Sequence, residues 1–158
     1  MRHEEIIQGH TMNSSKLFKV GSILIPLVNV GLILFGMIYV IYGRLMPYHL
    51  AFIGLTPEQI ATLPPNLITL SNLSIILIGF LFLSNGVINL LIWYKSFRKG
   101  EKWAWFAALL SGALIIIPLM GVIYTVAGFG FPFPLGCACL ILWIVGILLS
   151  AKEVLTTK

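Results

Sequence analysis

The chain has 158 residues, of which 59% are hydrophobic and 9% charged, and its mean hydropathy is +1.02. A soluble domain carries about 25% charged residues, so this composition excludes a water-soluble globular protein and predicts a single domain surrounded by lipid. The net charge of +5 comes from ten Lys and Arg against five Glu. For a membrane chain the positions of these charges report orientation rather than nucleic-acid binding, and no nucleic-acid partner is predicted.

The first apolar run covers residues 20–42 and carries no charge. A helix rising about 1.5 Å per residue needs about 20 residues to span about 30 Å of hydrocarbon, so this run predicts a membrane span. Pro26 removes one backbone hydrogen bond inside it and predicts a kink near Ser22. The polar residues 1–19 before it lack the apolar core and cleavage site of a signal peptide and are expected to form a frayed tail.

The connection after the first span contains a helix-start signal. Thr56 is the expected N-cap, Pro57 the first helical residue, and Gln59 completes a capping box. Pro64 and Pro65 are expected to end this short helix. The pattern predicts a helix of one or two turns lying on the membrane surface.

Two further apolar runs follow, at residues 67–94 and 103–127. The earlier of the two is the most polar of the spans. The later carries a stripe of small residues that allows close approach of another helix: Ala104, Ala108 and Gly112. Pro118 predicts a kink in its second half.

The fourth run, residues 135–151, follows an uncharged turn at 128–134 and is near the short limit for a span. Together the runs predict an all-α fold, an antiparallel four-helix membrane bundle with a short interfacial helix in its outer first loop.

The basic residues predict the orientation of this bundle. Nine of the ten fall before the first span, between the second and third spans, or after the fourth: Arg2, Lys16, Lys19, Lys95, Arg98, Lys99, Lys102, Lys152 and Lys158. The positive-inside rule therefore predicts a multi-pass protein of the cell membrane with both termini in the cytoplasm. Trp93, Trp103 and Trp105 are expected in the inner interfacial belt.

The predicted spans contain no ionisable residue other than Cys and Tyr, which argues against proton relays, ion paths and haem ligation. His3, His10 and His49 all lie outside the spans. Cys137 and Cys139 would point to different faces of a helix, so they predict packing residues rather than a disulfide or metal site. No metal or cofactor is predicted.

Asn29, Asn85 and Asn89 are the most informative polar residues within the spans. Antiparallel neighbours would place Asn29 and Asn85 at similar depth, and Asn89 lies one turn from Asn85 on the same face. One interpretation is a structural hydrogen bond between helices. The other is the polar floor of a ligand pocket.

Arg44, His49 and Glu58 are the ionisable residues of the outer connection. One interpretation is that Arg44 anchors the interface and pairs with Glu58. The other is an outer cap that binds a lipid or another apolar molecule by its head group. At the opposite side, Lys95, Arg98, Lys99 and Lys102 either set the topology alone or also attract anionic head groups.

The segment 98–105 reads R-K-G-E-K-W-A-W. It resembles the R-x-G-E-x-W-A-W signature of small four-helix membrane proteins of bacteria and archaea, and the resemblance extends upstream through His49, residues 54–58 and Asn66. It implies the four-helix architecture and no activity, because none is assigned to that group.

Three functions are compatible with these patterns. The first is a non-catalytic structural or accessory membrane protein that packs against lipid, another membrane protein or a second copy of itself. The second is a binder or carrier of a small apolar molecule such as a lipid, quinone or isoprenoid. The third is a lipid-modifying enzyme with His49 and Glu58 as its acid–base pair.

Overall fold

A computed structural model describes residues 15–156 of the chain. The described part is helical, with α-helices at α1 (Lys16–Tyr42), α2 (Pro47–Ile53), α3 (Pro57–Ala61), α4 (Pro65–Lys95), α5 (Lys102–Ala127) and α6 (Pro132–Thr156). A single 3-10 turn, Phe97–Lys99, joins α4 to α5. Four helices, α1, α4, α5 and α6, are long and apolar enough to cross a membrane. The predicted all-α fold with four membrane-length helices is confirmed. Residues 16–19, which were expected to belong to a frayed tail, form the first turn of α1. Arg2, His3 and His10 of that tail and the terminal Lys158 lie outside the described residues.

Helix α6 is longer than the predicted span of residues 135–151. It begins at Pro132 because a proline in the first turn gives up an N–H that has no helical partner. It continues to Thr156. Lys152 and Glu153 end the apolar run, but charged residues do not interrupt a helix.

Helix α1 is the centre of the fold and packs along both α4 and α6, while α5 packs mainly on α6. Glycines bring α1 and α4 into backbone contact. A Cβ added at Gly36 would lie 2.6 Å from the carbonyl oxygen of Gly79, closer than side chains approach. The two helices therefore fit together only without side chains at this crossing.

The small-residue stripe of α5 is used within the chain. Ala104, Ala108 and Gly112 are buried, and the indole of Trp143 on α6 lies where a Gly112 side chain would be. Trp143 Nε1 donates to the carbonyl oxygen of Ala108 at 3.1 Å. The close helix approach that the stripe predicts is therefore made by α6.

Pro26 leaves its mark in the hydrogen bonding of α1. In a regular helix the amide of residue 26 would donate to the carbonyl oxygen of Ser22, and proline has no amide proton. Trp93 Nε1, on α4, donates to that Ser22 oxygen at 2.6 Å. A side chain from the neighbouring helix thus replaces the lost bond.

The first connection holds two short helices where one was predicted. Helix α3 begins as expected, since Gln59 N donates to Thr56 Oγ1 at 3.3 Å and Thr56 N donates to Gln59 Oε1 at 2.8 Å. Helix α3 ends at Ala61, before the two prolines that were expected to end it, and Pro65 is instead the first residue of α4. Helix α2 was not predicted and packs near α5.

Candidate functional site

The three asparagines of the predicted spans meet between the long helices. Asn29, Asn85 and Asn89 line one cavity of about 10 Å³. Asn89 Nδ2 donates to Asn85 Oδ1 at 2.8 Å, and Asn29 Nδ2 donates to the Ile25 carbonyl oxygen of its own helix at 2.9 Å. A cavity of this size holds about one water, so it is too small for an organic ligand.

The hydrogen bond that joins helices at this point comes from a residue the sequence did not single out. Ser111 Oγ on α5 donates to Asn89 Oδ1 on α4 at 2.9 Å. Asn29 and Asn89 are each only 6% exposed. The cluster therefore has the character of a structural junction between helices, and its serine had no sequence signal beyond being polar within an apolar run.

The segments that carry the described cations of the predicted inner side meet at one end of the helices. The ring of Phe18, near the start of α1, stacks on Phe97 with centroids 6.4 Å apart. Ser15 N donates to Glu153 Oε2 at 2.7 Å, which brings the start of α1 to the end of α6. Seven exposed cations share these segments: Lys16, Lys19, Lys95, Arg98, Lys99, Lys102 and Lys152.

The 98–105 segment forms the turn that seats α5 on α6. Gly100 has φ of 78°, a conformation that favours glycine. Hydrogen bonds from the Ser96 hydroxyl and the Trp103 indole lower the pKa of the Glu101 carboxyl, and Trp103 Nε1 lies 2.6 Å from Glu101 Oε2. Trp105 Nε1 donates to Ser150 Oγ on α6 at 3.1 Å. The residues of this motif thus have structural contacts.

At the other end, Arg44, His49 and Glu58 have different neighbours. The Arg44 guanidinium lies 5.0 Å from the centre of the Tyr42 ring. The exposed Glu58 carboxyl accepts from the Thr56 hydroxyl, which lowers its pKa together with a backbone N–H. His49 is half-buried beside Tyr39 and Tyr48, and its Nδ1 accepts from Met46 N at 3.0 Å.

A large, half-open cavity lies beside α2 and α3, and Arg44 is on its wall. It has a volume of about 750 Å³ and is lined by the end of α1, helices α2 and α3, and the first turns of α4. Its walls are mostly Leu, Ile and Pro side chains, and its polar residues are Tyr42, Arg44, Ser71 and Asn72. We call it the cap cavity. The sequence showed Ser71 and Asn72 as polar residues early in a predicted span. It did not predict that they line a cavity beside α2 and α3.

A second, apolar opening lies between α1, α5 and α6. This cleft of about 230 Å³ is lined by aliphatic, Phe, Met and Cys side chains and by glycines, among them Leu34, Phe35, Met120 and Cys139. A neighbouring cavity of about 410 Å³ shares Ile38 and Pro132 with it. We call the opening between α1, α5 and α6 the side cleft.

Within residues 15–156, no group of three or more His, Cys, Asp or Glu is placed to hold a metal ion. No protein-family model, curated protein or solved structure matches the chain. The resemblance carried by residues 98–105 therefore stays a prediction.

Proposed function

We propose that the chain is a non-catalytic integral membrane protein that binds a lipid-like amphiphile in the cap cavity, with the anionic head group of the ligand at Arg44. The observation that carries this proposal is the cavity of about 750 Å³ with mostly apolar walls and Arg44 among its few polar lining residues. A guanidinium suits phosphate and carboxylate because its fixed N–H groups donate to two oxygens at once. The apolar walls suit the adjoining hydrocarbon.

The proposed orientation places the cap cavity on the outer side of the cell membrane. The contacts of α1 with α4 and α6 support an antiparallel arrangement: Ser22 meets Trp93, Gly36 meets Gly79, and Ser15 meets Glu153. Of the eight basic residues in the described part, seven belong to the segments that meet at the opposite end from Arg44. The positive-inside rule makes that end, and both termini, cytoplasmic.

A role as an accessory subunit or homo-oligomer is the second candidate. The sequence supported this role because the small-residue stripe of α5 could contact another protein. In the structure α6 already covers the stripe, so that support is weaker. A lipid-modifying enzyme has less support still. His49 Nδ1 already accepts a backbone N–H, and the Glu58 carboxyl accepts from the Thr56 hydroxyl and from a backbone N–H.

Native mass spectrometry from mild detergent tests the proposal, with dipalmitoyl phosphatidylglycerol as the probe. Arg44→Gln is expected to weaken binding about tenfold, the effect of about 1.4 kcal/mol. Arg98→Gln is the matched control, because Arg98 also lies over a tyrosine ring, that of Tyr94 at 4.0 Å, but at the other end of the helices. Equal binding by Arg44→Gln and the unaltered protein would refute the proposal, and a stable mass of two copies or of a second protein without lipid would favour the accessory role.

A further inference from the structure

An intermediate cavity adjoins both the cap cavity and the side cleft and shares lining residues with each. Tyr42 and Pro47 line both the cap cavity and the cavity of about 410 Å³ next to it. Ile38 and Pro132 line both that intermediate cavity and the side cleft. The Arg44 guanidinium lies over the ring of Tyr42, and Tyr42 lines both the cap cavity and the intermediate cavity. The cation is therefore next to the point at which these two cavities adjoin.

The intermediate cavity and the side cleft follow one another along α1 over a depth that fits one leaflet. From Tyr42 to Gly31, the deepest α1 residue of the side cleft, α1 descends 42 − 31 = 11 residues. At about 1.5 Å per residue this is about 17 Å, close to half of a hydrocarbon core about 30 Å thick. The cleft therefore ends near the depth at which an acyl chain of the outer leaflet ends.

The lining of the side cleft accepts a hydrocarbon chain and excludes a polar group. Its side chains are Leu, Ile, Phe, Met, Cys and Pro, and a polar group placed there would lose its hydrogen bonds without replacement. Gly31 adds no side chain to the cleft, and Cys139 is close to it, since a Cβ at residue 31 would lie 3.3 Å from Cys139 Sγ. The head group must then remain at the cap, and only a tail fits the cleft.

From the succession of these three cavities along α1 we infer that the ligand is a long-chain anionic lipid whose head group lies at Arg44 and whose acyl chain lies in the side cleft. The inference rests on the proposed function and adds the class of ligand to it. A compact apolar molecule would use one cavity alone, whereas a lipid with a leaflet-length chain uses both. Linking the two contacts in one molecule makes the second intramolecular, so each strengthens the other.

Leu34→Trp tests the chain site by partly filling the cleft with an indole. Leu27→Trp is the matched control: Leu27 lies two turns earlier on the same helix, has 52% exposure against 55% for Leu34, and lines none of these cavities. Binding of dipalmitoyl and dioctanoyl phosphatidylglycerol is measured by native mass spectrometry for each variant. Leu135→Trp, which fills the cleft from α6, is the second variant in case Leu34→Trp does not fold, because Leu135 lines the cleft and is 50% exposed.

Leu34→Trp is expected to weaken the dipalmitoyl lipid about tenfold, an effect of about 1.4 kcal/mol, and to leave the dioctanoyl lipid and the control variant unchanged. If both cleft variants bind the dipalmitoyl lipid as the unaltered protein does while Arg44→Gln weakens it, the chain site is refuted and the head-group site stands. If Arg44→Gln changes neither lipid, the proposed function fails, whatever the cleft variants do.

Discussion

Trp93 replaces the helical hydrogen bond that Pro26 removes from Ser22. Its indole N–H reaches the free carbonyl oxygen at 2.6 Å from another helix. Trp93→Phe keeps most of the ring but removes the donor, and the free energy of unfolding is expected to fall by about 1 kcal/mol, within the range for such bonds in membrane proteins. Unfolding of the purified protein in a mixture of mild detergent and dodecyl sulfate measures it.

Measuring Trp93→Phe together with Pro26→Ala tests whether the indole N–H replaces the bond that the proline removes. Alanine restores the amide that Ser22 needs within its own helix, so Trp93→Phe is expected to cost less in Pro26→Ala than in the unaltered chain. Trp103→Phe is the control, because the Trp103 indole bonds an exposed carboxylate, that of Glu101, and its effect should be independent of residue 26. Equal costs of Trp93→Phe in both backgrounds would contradict the assigned role.

The sequence predicted the acceptor of this bond but not its donor. A proline inside a helix identifies the carbonyl four residues earlier from local geometry alone. The donor comes from 71 residues further along the chain, and its position depends on the register between two helices. The same limit applies to Asn89, whose interhelical partner Ser111 could not be inferred from spacing within one run.

Helix α2 is capped by a titratable side chain, which makes its start pH-dependent. His49 Nδ1 accepts from Met46 N, and burial lowers the pKa of His49 below its ordinary value of about 6.5. Only the neutral ring accepts at Nδ1. The stability from this cap is therefore fully present above pH of about 6.5 and is lost as the pH falls through the lowered pKa of the folded protein.

The Met46 amide proton in an NMR titration follows this cap directly. Its chemical shift is expected to move as His49 protonates, in step with loss of the hydrogen bond. His49→Gln is the matched variant, because glutamine at this position accepts the same amide in a capping box and does not titrate. A Met46 shift that moves equally in His49→Gln would show that the cap is not the titrating element.

Whether a short helix was predicted from the sequence depended on the residue types at its N-terminal cap. Thr56 and Gln59 predicted α3 because they match the common capping box. Met46 and His49 use the same spacing with a histidine in place of Glu or Gln, and α2 was missed. The start of α6 was placed late because a proline-rich turn was interpreted as loop, although Pro132 occupies the first turn of the helix.

For the whole molecule, the apolar composition was enough to predict a protein built from membrane-length helices. Long uncharged runs identify membrane-length helices because lipid imposes their length and polarity, and the four such helices are present. Which helix lies at the centre did not follow from hydropathy. The central place of α1 depends on glycine pairs such as Gly36 and Gly79. The cap cavity depends on how the two short helices α2 and α3 are placed. Neither feature can be predicted from the length or hydropathy of an apolar run.

Orientation is the remaining property that the charges predict for the whole molecule. The segment 95–102, which contains the turn between α4 and α5, carries Lys95, Arg98, Lys99 and Lys102. The start of α1 and the end of α6 lie at the same end and add Lys16, Lys19 and Lys152. A cysteine introduced at Lys99 in a chain with Cys137→Ala and Cys139→Ala is expected to react with an impermeant maleimide only from the cytoplasmic side. A cysteine at Gln59, an exposed residue of α3, is expected to react only from outside.

Neutralising the turn tests whether its charges are the cause of this orientation. Replacing the four basic residues of the turn by glutamine is expected to give a mixed population, in which the position 59 probe reacts partly from each side, because the charge bias between the two sides is reduced. Arg44→Gln removes a basic residue from the outer side and is expected to leave the population uniform. If the neutralised chain stays uniform, the tryptophans and the outer cap hold the orientation without the charges. If position 59 of the unaltered chain reacts from the cytoplasm, the cap cavity lies in the inner leaflet and its ligand must come from there.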